Sequence, residues 1–126
     1  MTTQQHAVQG RRILLVDDER AVRELVRELL SRDKHTVVEA NNGAEAFGLF
    51  GQHRFDLVVT DARMPFLAGN ELAARIRRVA PRQPILMLTA YGDQPGQDNP
   101  VNAVLPKPFD LSQFRAAVAK LIFAAL

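Results

Sequence analysis

The sequence contains no cysteine among its 126 residues. This absence excludes disulfide bonds, thiolate metal sites and thiol nucleophiles together. Any metal ion must therefore be held by oxygen ligands or by imidazole. The three histidines, His6, His35 and His53, are scattered along the chain and share no spacing typical of a metal site or a catalytic triad, so we assign them no role.

Long apolar runs are missing as well. No stretch approaches the ~20 residues needed to cross a bilayer, and the polar start MTTQQHAVQG lacks the apolar segment of a signal peptide. We therefore expect a cytoplasmic protein without membrane insertion. The net charge is only +2, and arginines alternate with acids along residues 20–28. That pattern is typical of a solvated helix face, so direct binding of nucleic acid is not expected.

What the sequence does contain is enough for one globular domain. Its 126 residues are 47% apolar and 24% charged, as in soluble proteins with a single hydrophobic core. Residues 1–10 show no apolar periodicity and are expected to be a flexible lead-in. The folded domain is expected to span residues 11–126.

Five short apolar runs alternate with longer segments of helical periodicity, which indicates a parallel sheet with helices on both faces. The runs that predict strands are residues 12–16, 36–40, 55–60, 84–89 and, more weakly, 102–106. Asn42 with Glu45 and Asp110 with Gln113 predict capping boxes at two helix starts. The expected fold class is doubly wound α/β.

The polar residues at the strand ends carry the chemistry, because ligands of an open parallel sheet bind beyond the carboxyl ends of its strands. Asp17 and Asp18 follow the first strand, Asp61 the third, Thr89 ends the fourth and Lys107 follows the fifth. Crowded carboxylates repel one another, and Mg²⁺ is the cation that best relieves this with oxygen ligands. A lysine and a hydroxyl opposite the ion would hold phosphoryl oxygens.

At this point the sequence resembles the receiver domain of two-component response regulators, from about Arg11 to Leu126. The matching motifs are LLVDDE at residues 14–19, LVVTDARMP at 57–65 followed by Gly69, LTA at 88–90 and PKPF at 106–109. Each motif is weak alone, but the four in this order at strand ends are specific. The resemblance implies a flavodoxin-like sheet of order 2-1-3-4-5 and a cis bond between Lys107 and Pro108.

The resemblance also implies a function. Asp61 would accept a phosphoryl group from a phosphohistidine of a histidine kinase or a histidine phosphotransferase, and the altered domain would then bind a downstream protein. The implied metal ligands for Mg²⁺ are Asp17, Asp18, Asp61 and the carbonyl of Arg63, and the implied residues of the transfer are Asp61, Thr89 and Lys107. Such a domain catalyses only its own phosphorylation and dephosphorylation, so it is not an enzyme acting on a separate substrate.

Several alternatives stay open at this stage. Asp17 or Asp18 could cap the first helix, and Asp61 could open an ordinary loop. A Mg²⁺-dependent phosphatase with an aspartyl nucleophile would commonly carry a second Asp two residues later, where Arg63 stands. A degenerate receiver would be expected to lose an acid or the lysine, and none is lost. The chain could be a stand-alone regulator or a segment of a hybrid kinase or a transcription factor.

The sequence departs from the family between Thr89 and Lys107. Residues 91–101, YGDQPGQDNPV, contain prolines and glycines and no apolar stripe, so the usual fourth helix is predicted to be short or missing, with a loop whose ordering carries the signal. Val104 stands where the family commonly has Tyr or Phe. Arg63 and Tyr91 are expected to tune the lifetime of the phosphorylated form.

Overall fold

The computed structural model describes residues 10–90 and 100–126. Within these residues the strands are β1 (Arg12–Val16), β2 (Thr36–Ala40), β3 (Leu57–Asp61), β4 (Ile85–Thr89) and β5 (Ala103–Pro106). The helices are α1 (Arg20–Arg32), α2 (Gly43–Phe50), α3 (Gly69–Val79) and α4 (Leu111–Ala124). Expectations for the lead-in and for the loop before β5 fall largely on residues 1–9 and 91–99, which lie outside the described residues.

The five strands form one parallel sheet in the order β2-β1-β3-β4-β5. This confirms the predicted doubly wound α/β class and the flavodoxin-like strand order. Because all strands point the same way, their carboxyl ends lie along one edge, and the residues at the ends of β1, β3, β4 and β5 lie there.

The sheet is covered on both faces, which explains why its central strands are continuously apolar. Alternate residues of each strand point to opposite faces, and they join two separate buried clusters. One cluster packs under α1 and α4 and contains Ile13, Leu15, Val26, Leu30, Leu57, Val59, Leu86, Leu88, Phe114, Val118 and Ile122. The other packs under α2 and α3 and contains Leu14, Val16, Ala40, Ala46, Phe55, Val58, Leu67, Leu72, Ala73, Ile76 and Ile85.

Both predicted helix starts are confirmed, and one of the two predicted capping boxes is complete. The Asp110 carboxylate accepts the Gln113 N–H at 2.7 Å and the Gln113 side chain accepts the Asp110 N–H at 2.9 Å, which is a complete capping box. Asn42 accepts the Glu45 N–H at 2.8 Å, but the Glu45 carboxylate accepts from the N–H of Asn41. The Asn42 half of the second box is thus as predicted, and only the return bond of Glu45 differs, since it goes to the N–H one residue before the N-cap.

Arg77 of α3 holds the chain where it returns to β5. Its guanidinium donates to the carbonyls of Pro81, Gln83 and Pro100 and to Oδ1 of Asn102, at distances of 2.6–3.1 Å. The same Asn102 oxygen accepts the N–H of the first residue of β4 at 2.8 Å. This network fixes the alignment of β5 against β4, and with it the residue that follows β5.

Candidate functional site

The strand ends bring the predicted residues to one edge of the sheet. Asp17 directly follows β1, Asp61 is the last residue of β3, and Thr89 is the last residue of β4. All three are buried, with 1%, 8% and 2% of their surface exposed. Lys107 follows β5, and its backbone N–H donates to the carbonyl of Thr89 at 2.7 Å. The bond from Lys107 to Pro108 is cis, as predicted.

Three carboxylates form the centre of this site. Asp17, Asp18 and Asp61 each offer an oxygen, and these oxygens all lie within 4.8 Å of one another. Asp17 and Asp61 are buried and Asp18 is exposed. The β1–α1 loop thus contributes a buried acid, Asp17, and an exposed acid, Asp18. Both lie close to the third acid, Asp61, at the end of β3.

Lys107 is the cation that faces the acids. Its Nζ lies 3.4 Å from Oδ1 of Asp61 and 3.9 Å from Oδ2 of Asp17. One ammonium therefore stands against three carboxylates in a largely buried setting. This leaves an excess of negative charge that a divalent cation would balance.

The pKa values of the two buried acids are raised, mainly by their burial. Burial, reinforced by the nearby Asp61, raises the pKa of Asp17 from 3.8 to about 6, against the lowering effect of a hydrogen bond from the Glu19 N–H. Burial also raises the pKa of Asp61, although Lys107 acts in the opposite direction. Both carboxylates are thus less stable in their charged form than an exposed aspartate is.

One oxygen of Asp17 has no hydrogen-bond donor. Its Oδ1 accepts the Glu19 N–H at 2.9 Å, whereas its Oδ2 is buried and accepts no hydrogen bond within the part of the chain that the structure describes. The Lys107 ammonium lies 3.9 Å from this oxygen, which is too far for a hydrogen bond, and a buried oxygen without a hydrogen-bond donor is costly. The donor set of oxygens and its spacing therefore fit a hard divalent cation such as Mg²⁺.

The helix-cap alternative for the two acids is not what the structure shows. The residue that caps α1 is Glu19, and its side chain makes no capping hydrogen bond. Asp17 instead stabilises the turn before the helix through the N–H of Glu19.

The backbone around Asp61 is closely packed. Its Oδ1 also accepts the N–H of Ala62 at 2.9 Å. Gly69, the first residue of α3, donates its N–H to the carbonyl of Ala62 at 3.0 Å. A Cβ at Gly69 would clash with the carbonyl oxygen of Asp61 and would lie 3.1 Å from Cα of Ala62. Only glycine lets the helix start this close to the strand end.

Arg23 belongs to the site's support, which the sequence did not reveal. The alternation of charges placed it on a solvated face, yet its side chain is only 16% exposed. Its Nη1 donates to the carbonyl of Asp17 at 2.8 Å, and its Nε lies 3.2 Å from Glu39. The only available signal was its position, one turn into the helix that follows the acidic pair.

Two predicted residues are less closely tied to the cluster. Thr89 is placed by strand register, since its neighbour Leu88 lies opposite Asp61 in the β3–β4 pair. Arg63 lies in the β3–α3 loop with its side chain exposed, and the role of its carbonyl as a metal ligand stays a prediction. Tyr91 lies outside the described residues. Val104 is half-buried and pairs with Met87.

Comparison with known proteins agrees with this geometry. A family model described as the response regulator receiver domain matches residues 13–119. The response regulator MprA of Mycobacterium sp. (strain KMS) is 41% identical over 115 residues, which is 88% of this chain and 50% of that protein. MprA of Mycobacterium leprae (strain TN) is 40% identical over the same coverage. The chain thus spans about half the length of the curated relatives it matches.

Solved structures give the same answer. The response regulator TrrA of Thermotoga maritima, solved with Mg²⁺ and BeF, is 34% identical with a TM-score of 0.83, covering 88% of this chain and 98% of that one. The receiver domain of the sensor histidine kinase PA1611 of Pseudomonas aeruginosa, with magnesium in its active-site cleft, is 28% identical with a TM-score of 0.83, covering 90% and 98%. No helix among the described residues is long and apolar enough to cross a membrane. The family-model match over residues 13–119 shows that this protein belongs to the response regulator receiver domain family.

Proposed function

We propose that this chain is a phosphorylation-dependent switch in which Asp61 accepts a phosphoryl group from a phosphohistidine. The donor would be a histidine kinase or a histidine phosphotransferase, and the switched domain would then bind a downstream protein. The observation that carries the proposal is the position of Asp61 at a strand end, where its carboxylate lies beside those of Asp17 and Asp18 and beside the ammonium of Lys107.

The transfer needs a nucleophile that is ionised and held in place. A carboxylate oxygen of Asp61 would attack phosphorus, so a P–O bond forms while the P–N bond to imidazole breaks and the imidazole leaves. The Ala62 N–H and the Lys107 ammonium both contact Oδ1 of Asp61 and fix the plane of its carboxylate. Because phosphoryl transfer depends mainly on positioning and on charge, a fixed carboxylate is the main requirement.

Asp17, Asp18 and Asp61 would hold Mg²⁺, with the carbonyl of Arg63 as a further ligand. The oxygen of Asp17 that lacks a donor and the spacing of the three carboxylates support this assignment. When bound, the ion supplies positive charge beside the phosphoryl oxygens, which is its usual role in such sites. The magnesium of the TrrA and PA1611 structures supports the same choice of metal.

Lys107 and Thr89 would stabilise the phosphorylated form. The ammonium of Lys107 lies beside the carboxylates of Asp61 and Asp17 and would contact a phosphoryl oxygen once Asp61 carries the acyl phosphate. The Thr89 hydroxyl would donate to another phosphoryl oxygen, which would draw the start of the segment that follows β4 toward the site. That movement is how phosphorylation would alter the surface presented to a partner.

We place this activity in the cytoplasm and assign no separate substrate to the domain. The phosphatase alternative would need a general acid two residues after Asp61, and Arg63, which occupies that position, is a poor proton donor. A receiver segment of a hybrid kinase or of a transcription factor would use the same residues in the same way.

The proposal is tested by incubating the protein with acetyl phosphate and Mg²⁺ and measuring intact mass. The wild type should gain one phosphoryl group, and Asp61→Asn should gain none while keeping its circular dichroism spectrum. Asp56→Asn is the matched control, because this acid lies just before the other end of β3 and accepts the N–H of Arg12. Labelling of Asp61→Asn at the wild-type level would disprove the assignment.

A further inference from the structure

Phe66 combines two unfavourable features in the loop that joins Asp61 to α3. Its side chain is 89% exposed, the largest value among the exposed apolar side chains of the described residues. Its φ is 71°, in the left-handed region that a residue with a Cβ adopts at a cost. The N–H of Leu67 donates to the carbonyl of Pro65 at 2.8 Å, which closes a three-residue turn around Phe66. Turns of this class with a positive φ are rare and strained.

The other residue of this kind has an ordinary structural reason. Within the described residues, Lys34 is the remaining non-glycine residue with a positive φ, at 63°. It follows the C-cap of α1, where the Lys34 N–H bonds Ser31 and the His35 N–H bonds Leu30. This is the hydrogen-bond pattern that commonly ends a helix, and it satisfies carbonyls that would otherwise lack donors. Phe66 ends no helix.

The residues that flank Phe66 on its C-terminal side are closely packed, in contrast to Phe66 itself. Leu67 is 4% exposed and packs so closely on α2 that a Cβ at Gly43 would lie 2.7 Å from its own Cβ. Gly69 is in equally close contact with the end of β3. Both of these residues are therefore packed against the domain, while the ring of Phe66 points to solvent. A glycine would make the same turn without the strain, so the phenyl ring does not serve the fold.

We infer that Phe66 is an anchor for the protein that donates the phosphoryl group. The loop that presents the ring starts at Asp61, so a phosphohistidine domain that brings its phosphorus to Asp61 must cover this loop. Phenylalanine, like the other aromatic side chains, buries a large apolar area when a partner covers it, and such side chains dominate the energetics of protein interfaces. The inference rests on the proposed function and adds a specific contact to it, one that a small phosphodonor does not make.

The test compares two donors that break the same P–N bond. Phosphoimidazole carries no protein surface, whereas the autophosphorylated catalytic region of a histidine kinase, chosen because it labels the wild type on Asp61, does. Phe66→Ala and Phe66→Gly should react with phosphoimidazole within about twofold of the wild type, while kcat/KM for the kinase should fall at least about tenfold. Phe66→Tyr keeps the ring and should retain the kinase rate.

Phe123→Ala is the matched control, because Phe123 is also an exposed phenylalanine, 54% accessible, but lies in the last turn of α4. That turn is at the opposite edge of the sheet from Asp61, so both rates should stay unchanged. Phe66→Gly should in addition show a higher urea midpoint than Phe66→Ala, because glycine relieves the strained turn.

Each other outcome overturns the inference. An unchanged kinase rate in Phe66→Ala means that the phosphodonor does not bind the ring. If that variant also changes self-association, measured by light scattering, the ring contacts a second copy of this chain instead. An equal loss with both donors means that Phe66 supports the site itself. Failure of wild-type Asp61 to react with phosphoimidazole would instead be a failure of the proposed function, and the two results are therefore distinguishable.

Discussion

Replacing Asp17 by Asn should make the metal-free protein more stable. The pKa of Asp17 rises from 3.8 to about 6, mainly because the carboxylate is buried. A rise of about two pH units corresponds to about 3 kcal/mol at 1.36 kcal/mol per unit. The Asp17 carboxyl group therefore binds a proton more tightly in the folded protein than in the unfolded chain. The stability that this protonation contributes is present below pH 3.8 and is lost as the pH rises to about 6.

An asparagine carries no charge in this pH range and should escape that loss. Its side-chain oxygen can still accept the Glu19 N–H, which Asp17 now accepts at 2.9 Å. Allowing for relaxation of the site around the charged form, we expect a gain of about 2 kcal/mol for Asp17→Asn at pH 7.5. The gain should shrink as the pH is lowered, because the wild-type carboxyl then becomes neutral as well.

The assay is urea unfolding in EDTA between pH 4 and 8, repeated with increasing Mg²⁺. Magnesium should stabilise the wild type in proportion to the logarithm of its concentration and should leave Asp17→Asn unaffected. Asp18→Asn is the control, because Asp18 is exposed. It should change the EDTA stability by no more than about 0.5 kcal/mol while weakening the magnesium effect. If Asp17→Asn is no more stable than the wild type in EDTA at any pH, the buried carboxylate is not the unfavourable group that we describe.

Three further predictions concern the support of the site. Gly69→Ala should lower stability by about 1–3 kcal/mol and slow phosphorylation, because its Cβ would push the end of β3 aside; urea unfolding and intact mass would check both. Arg23→Met should weaken Mg²⁺ binding about tenfold, since it removes the donor to the Asp17 carbonyl. Arg27→Met, which loses only the ion pair with the same glutamate that Arg23 contacts, should bind Mg²⁺ normally in calorimetry, and equal affinities for the two variants would contradict this role. Burial lowers the pKa of His35 below 6.5, so the imidazole of the unfolded chain is protonated at a higher pH than that of the folded protein. Relative to His35→Asn, the wild type should therefore lose stability as the pH falls below 6.5. Parallel curves of stability against pH for the two proteins would refute this prediction.

Local sequence determined most of the fold, because the relevant forces act between neighbours in the chain. Apolar runs long enough for one strand, bounded by polar residues, placed all five strands to within two residues at each end. The capping box of Asp110 and Gln113 was predictable because both partners lie within one helical turn. Asp61 and Lys107 were recognisable as site residues because each stands at or next to the end of a predicted strand, and parallel strands bring those ends together.

Which residues are buried, strained or without a hydrogen-bond partner was decided only by the tertiary structure. Nothing in the pair DD says that Asp17 turns inward and Asp18 outward, because that depends on where α1 packs against the sheet. Arg23 looks like any charged residue of a solvated helix until the fold brings the Asp17 carbonyl within its reach. Phe66 adopts its positive φ next to Leu67, which packs on α2, and close to Gly69, which packs on the end of β3, and these are contacts between residues that the chain alone does not place side by side.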